Sequence, residues 1–392
     1  MAKKAYIGVS GVAKKIKKCY VGVSGVARKV KKAYIGVGGV ARPCWSGEEV
    51  VYYGEVTGLS AGRCRFSAAQ AGNYAVFFGN EGGDAFYNLD AFNPSFTRTT
   101  LTPTGSHGGK NTAATSIGGS AMFYGGTSSL SSIPFYYTSS LVYKRASQSI
   151  FGSTRHEFTE GATAGSLAIF YGGSWYGHED ADETDMFECL NSSATWVRSG
   201  HTNIFTMRHV GVSFGDYALF AGGKGYEYWS DGEEDYYSDR GVFAVTIVVN
   251  SSGTYARCLN NLSPGAYNMA GTTVGDYAIV AGGTTNMSGT TRTNKAYAIN
   301  KSLTTSAISN LSLARDQMTA TSLGSHAIFA GGYTTSSQKT VDVYDSSLAR
   351  SNTVSLATDR YEAASATTGK YALVAGGISG SSTLSSVEAF TV

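Results

Sequence analysis

One hydrophobic phrase returns along the chain: Gly, two or so residues, Ala, a short apolar run, and a closing glycine. It reads GNYAVFFGN at Gly72, GSAMFYGG at Gly119, GSLAIFYGG at Gly165 and GDYALFAGG at Gly215. GDYAIVAGG at Gly275, GSHAIFAGG at Gly324 and GKYALVAGG at Gly369 follow. The starts lie 47, 46, 50, 60, 49 and 45 residues apart. An apolar run without alternation, closed by glycine, predicts a strand buried on both faces. A period near 50 predicts a repeat architecture in which each unit is one small sheet.

The unit around Gly324 shows the expected order of strands. DQMTATS (316–322) is a strand of small residues, suited to the crowded axis of a ring of sheets. HAIFAGG (326–332) is the apolar run, KTVDVYD (339–345) alternates, and RSNTVSL (350–356) is short and polar, an outer strand. The last unit ends after its third strand, at Val392. The first unit carries a surplus strand upstream. EVTGLSAGRCRFSAAQAGNYAVF aligns with NTVSLATDRYEAASATTGKYALV, matching Leu59 to Leu356 and Arg63 to Arg360, each Arg nine residues before its glycine. Residues 50–59 are therefore expected to pair with the C-terminal strand and close the ring, leaving no open sheet edge.

The glycine pair after an apolar strand, with VDVYD about ten residues on, resembles the kelch repeat. The resemblance spans residues 48–392 and implies an all-β, seven-bladed kelch-like β-propeller. Two departures stand out. The first unit has Gly79-Asn80 in place of a glycine pair, and only Thr195-Trp196 supplies the outer-strand Trp of that repeat.

Ahead of these units, residues 1–44 repeat a 14-residue phrase three times: KKAYIGVSGVAKKI, KKCYVGVSGVARKV and KKAYIGVGGVARPC. A Gly-containing pair flanked by Val predicts a two-residue hairpin turn. Twelve-residue strands between turns would set Lys17 opposite Lys32 and Lys18 opposite Lys31, and like charges face to face destabilise a ladder. The segment holds eleven Lys/Arg and no acid, leaving 20 basic against 28 acidic residues in the remainder. A basic arm on an acidic body predicts separate partners. Lys17, Lys18, Lys31 and Lys32, with Tyr6, Tyr20 and Tyr34, are the candidate attachment residues. Nucleic acid is the rival partner, because lysine runs bind phosphate without sequence preference. The domains expected are thus a basic N-terminal β-repeat arm at 1–44 and a propeller at 45–392.

Composition narrows the chemistry. Gly, at 50 of 392 residues, is well above the ~7% usual in globular chains. The five cysteines are scattered without a C-x-x-C, which argues against a disulfide framework or zinc site. No apolar run reaches the ~18 residues of a membrane span, and no signal peptide is visible. The six histidines fall in different units, and NSSATW at 191–196 lacks the Asp and Gly of a sialidase-type loop. No catalytic set stands out.

Two long connections mark the candidate ligand face: 174–185 and 224–240. They carry Trp175, Tyr176, Tyr226, Tyr228, Trp229 and Tyr236 beside Asp180, Asp182, Asp185, Asp231 and Glu233. Aromatic faces stack on sugar C–H faces, and carboxylates accept from hydroxyls. The same acids in DADETD and DGEED could instead hold calcium, although neither has EF-hand spacing. No other cofactor is expected.

The phrases ARKVKKAYIGVGGVAR and GDYALFAGG together resemble virion proteins encoded by phages and prophages of gut Firmicutes. The resemblance implies a non-enzymatic structural protein made in the host cytoplasm and built into the virion. Its arm would dock to other virion proteins, as a homo-oligomer in the particle. Its propeller would sit on the tail or baseplate and bind a host surface glycan or protein. Capsid decoration or a head fibre is one alternative; a propeller enzyme acting on polysaccharide is another.

Overall fold

The computed structural model describes the chain except residues 1–5, 10–11, 16–18, 24–25, 31, 38–39, 47–48, 80–87, 104–108, 127–132, 152–155, 176–183, 231–234 and 352. Before residue 49, and at 156, 175, 229 and 235–237, only the backbone is described. The chain divides into two compact units, residues 1–51 with Val392 and residues 52–391. Among the described residues there is no helix beyond a single-residue turn, so the protein is all-β.

The first unit contains antiparallel hairpins. Tyr6–Val9 pairs with Val12–Lys15, Cys19–Val23 with Val26–Val30, and Lys32–Val37 with Val40–Ser46. Val9 lies opposite Val12, Val23 opposite Val26 and Val37 opposite Val40. Lys32 lies opposite Ser46, and among the described residues the middle ladder runs from Val23 opposite Val26 to Cys19 opposite Val30. Lys17, Lys18 and Lys31 lie outside the described residues; Tyr6, Tyr20, Tyr34 and Lys32 are strand positions.

The second unit is propeller-like, built of small antiparallel four-stranded sheets. The phrase read from the sequence is the second strand of each: Tyr74–Phe78, Ser120–Gly125, Leu167–Tyr171, Tyr217–Ala221, Tyr277–Ala281, His326–Ala330 and Ala372–Ala375. Before each comes an inner strand: Ser67–Ala71, Thr112–Ile117, Glu160–Ala164, Val210–Phe214, Ala270–Val274, Thr319–Leu323 and Ala364–Thr367. Each inner strand packs beside the next, and Ala364–Thr367 packs beside Ser67–Ala71. The sheet of Ala364–Thr367, Ala372–Ala375 and Val387–Thr391 takes Val51–Val56 as its outer strand, with Tyr52 edge-on to Phe390 at 5.6 Å.

Side-chain size dictates this order. Inner strands approach so closely that a Cβ on Gly211 would lie 2.9 Å from the Gly161 carbonyl. Hydroxyls bridge neighbouring sheets there: Thr115 to Thr163 at 2.8 Å and Thr319 to Ser365 at 2.6 Å. The second strands are buried on both faces, so the apolar core lies between sheets rather than in one centre. One cluster joins Leu219 and Val248 to Val280 and Ile299; another joins Phe77 and Phe92 to Leu373 and Val387. The glycine pair then leaves the sheet at positive φ. A Cβ on Gly222 would sit 2.1 Å from the Ala266 carbonyl, and one on Gly223 2.2 Å from Thr206 Oγ1.

Buried ion pairs tie the segment before an inner strand to the sheet's third strand. Arg63 holds Asp90 at 2.9 Å, Arg315 holds Asp342 at 2.9 Å and Arg360 holds Glu388 at 2.5 Å, all six side chains fully buried. Between Leu167–Tyr171 and Trp196–His201, Glu188 instead accepts from Trp196 Nε1 at 2.6 Å. The outer strand expected at 350–356 is split. Arg350–Ser351 pairs with the third strand, and Ser355–Arg360 turns back onto Gln338–Thr340. Arg360 must reach inward to Glu388, which draws this stretch out of a continuous outer strand.

Candidate functional site

One residue stands just before each inner strand in the left-handed backbone region: Arg65, Asn111, Phe158, Arg208, Asn268, Gln317 and Glu362, at φ between 52° and 58°. None is glycine, so each conformation is costly and must be enforced by its surroundings. The enforcement is visible in the backbone. The Asn268 amide donates to the Arg208 carbonyl at 3.0 Å, Gln317 to Asn268 at 3.1 Å and Glu362 to Gln317 at 3.1 Å. Arg65 then donates to Glu362 at 3.3 Å and Asn111 to Arg65 at 2.8 Å. The chain of bonds runs around the axis, and the same residues line an axial channel of about 180 Å³.

Above this channel the mouth widens into a cavity of about 460 Å³. Tyr267, Tyr333 and Tyr361 line it with Arg65, Arg208, Lys224 and Arg292, against two acids, Asp316 and Glu362. Four cations against two carboxylates make the mouth positive, although the chain beyond residue 43 is acidic. Internal pairs hold its shape. Arg65 Nε contacts both Glu362 oxygens at 2.9 Å, and Gln317 Nε2 donates to Glu362 Oε1 at 3.0 Å. Arg292 Nε donates to Asp316 Oδ1 at 2.8 Å, with its guanidinium over the Tyr333 ring at 5.0 Å. Tyr333 and Tyr361 sit 4.9 Å apart, inclined at 56°.

Two titratable groups line the channel below. Burial pushes the Glu160 carboxyl up to about 8. His209 is buried between Tyr171, at 5.0 Å, and Phe220, at 5.7 Å. Burial drives its imidazole down to about 3, the Tyr171 backbone opposing, and among the described residues neither ring nitrogen has a partner in hydrogen-bond geometry.

One of the two loops singled out in the sequence reaches this mouth. Tyr226, Tyr228 and Trp229 lie on the strand Lys224–Ser230, whose first residue lines the cavity. That strand pairs with Ile204–Met207 and with Asp235–Tyr237, setting Trp229 opposite Tyr236. Tyr226 stacks on Phe205 at 4.7 Å and 10°, so one of its faces is occupied. Asp185 is buried: Oδ1 meets His201 Nδ1 at 2.8 Å, and Oδ2 accepts from the Asn203 amide at 3.0 Å. The Asn203 carbonyl accepts from the Tyr228 amide at 3.0 Å, so Asn203 links the bases of the two loops. Both Asp185 oxygens thus have partners within the fold. Trp175 pairs with His156 through its backbone. Tyr176, Asp180, Asp182, Asp231 and Glu233 lie outside the described residues. Among the described residues no three His, Cys, Asp or Glu side chains gather as metal ligands, and no helix is long and apolar enough to cross a membrane.

Reading charge and aromatics in long loops missed the mouth because its residues come one per repeat, 45 to 60 apart, and differ in type. A signal existed. Each stands seven residues before the first glycine of the turn joining inner and second strands, at Gly72, Gly118, Gly165, Gly215, Gly275, Gly324 and Gly369.

No protein-family model and no curated protein matches this chain. Among solved structures it is similar to that of YjhT, with a TM-score of 0.55 at 12% identity, over 76% of this chain and 99% of that one. At that identity the likeness concerns the fold alone.

Proposed function

We propose that this chain is a non-enzymatic phage structural protein whose seven-bladed, kelch-like propeller binds a host-surface glycan in the axial mouth. The basic arm of residues 1–44 attaches the propeller to other virion proteins, on the tail or baseplate. The observation that carries the reading is the mouth itself: a concave cavity of about 460 Å³ with three tyrosines and a positive lining, on a scaffold braced by a run of backbone hydrogen bonds. Tyrosine rings offer stacking faces for sugar at low conformational cost, and the ion pairs preorganise the polar groups around them. Many copies on one particle convert weak single contacts into avidity.

The test has two arms. Cryo-microscopy of purified particles should locate the protein, and a chain lacking residues 1–44 should fold yet fail to incorporate. Glycan-array binding by the full chain should drop at least tenfold in the Tyr333→Ala/Tyr361→Ala variant. Absence of the protein from particles removes the virion role; undiminished array binding removes the mouth as the site.

A further inference from the structure

Arg208 differs from the other buried or half-buried arginines of the second unit. Arg63, Arg65, Arg292, Arg315 and Arg360 each hold a carboxylate at 2.5–2.9 Å. Arg208 forms no ion pair among the described residues. Its guanidinium lies over the Phe158 ring at 3.9 Å, and Nη1 reaches Asn268 Oδ1 at 3.4 Å. Stacking fixes the plane of the fork without neutralising its charge. Burial, and then the nearby charge of Arg65, disfavour the charged form, and the charges of Glu362 and Glu157 offset them only in part. A desolvated cation at the floor of an open cavity is a costly group to retain unless an anion completes it. Both cavities border it: the mouth and the channel share Arg208, Asn268 and Gln317.

From this we infer that the mouth selects a glycan unit carrying a singly charged oxyanion, a carboxylate or a phosphodiester, with Arg208 as its counter-ion and Tyr333 and Tyr361 as the ring platform. A single charge fits better than a double one, because Asp316 and Glu362 line the same cavity and repel excess negative charge. Lys224 also lines the cavity, over Tyr267 at 5.3 Å, and adds to the positive field. The planar guanidinium accommodates either anion through two parallel N–H donors. The inference rests on the glycan-binding reading above.

The experiment presents the full chain with an array holding matched sets of uronic-acid oligosaccharides, their methyl esters, polyol phosphodiesters and neutral hexose oligomers. Acidic members should bind at least tenfold better than esters or neutral sugars, and that preference should fall as salt rises. Preference within the acidic set identifies carboxylate or phosphodiester as the source. Arg208→Met should abolish the preference for charge, while Arg208→Lys retains part of it; melting of both variants near the parent temperature shows that the fold is intact. Equal binding of acid and methyl ester, or an unchanged preference in a folded Arg208→Met, overturns the anion assignment and leaves glycan binding standing. No binding to any saccharide, charged or neutral, overturns both.

Discussion

Arg360→Met tests how the ring is held shut. Arg360 is fully buried and donates to Glu388 Oε1 at 2.5 Å, to the Gly376 carbonyl at 2.9 Å, to the Ser386 carbonyl at 3.1 Å and to Ser386 Oγ at 2.9 Å. Glu388, also fully buried, keeps only the Ala357 and Thr358 amides and the Tyr52 hydroxyl once the arginine is gone. Methionine fills similar volume, so the loss is mainly that of the counter-ion. Removing one partner of a buried pair leaves a stranded charge and costs about 3–5 kcal/mol. Lys301–Asp276 provides the contrast: the separation is 2.7 Å, yet both side chains are over two-thirds exposed. Lys301→Met should therefore cost under ~1 kcal/mol, because water screens the pair. Urea titration followed by tryptophan fluorescence reads both variants. The double variant Arg360→Met/Glu388→Leu should recover part of the loss, since no buried charge remains. A cost below about 1 kcal/mol for Arg360→Met, or a double variant no better than the single, would refute burial as the cause.

Three further outcomes follow from the same structure. His209 is held neutral, its folded value near 3 against an ordinary 6.5, so its contribution is present above pH 6.5 and is lost as pH falls toward 3. His209→Phe should flatten the decline in melting temperature between pH 6.5 and 4; an identical pH profile in the variant counts against this. Gly223→Ala should lower stability by more than ~1 kcal/mol, because the new Cβ meets Thr206 Oγ1 at 2.2 Å at φ 102°. Gly215→Asn, at φ 62° with open space around it, should be nearly silent in the same melts.

How much of this was legible depends on the reach of each signal. The apolar phrase is legible because a strand buried on both faces must be apolar throughout, and such a run reads locally. Arg63 and Arg360, aligned by their distance from glycine, do equivalent work: each grips a buried acid on a third strand. The register of the lysine repeats was not legible. A register shift between Ala33 and Tyr34 puts Lys32 opposite Ser46 rather than Trp45, and no local pattern announces it. Asp185 read as a loop acid because its neighbours are acidic; its burial against His201 and Asn203 depends on a residue pair 16 to 18 positions away.

The sequence by itself determined the all-β class, the strand order within a repeat and the basic character of residues 1–44, since composition and short-range periodicity govern each. Tertiary structure alone decided where the repeats' odd residues converge. Rotation about the axis carries Arg65, Arg208, Asn268, Gln317 and Glu362, spread over 298 positions of chain, to one mouth. It makes that mouth positive on an acidic body, because local field follows distance in space and total charge does not.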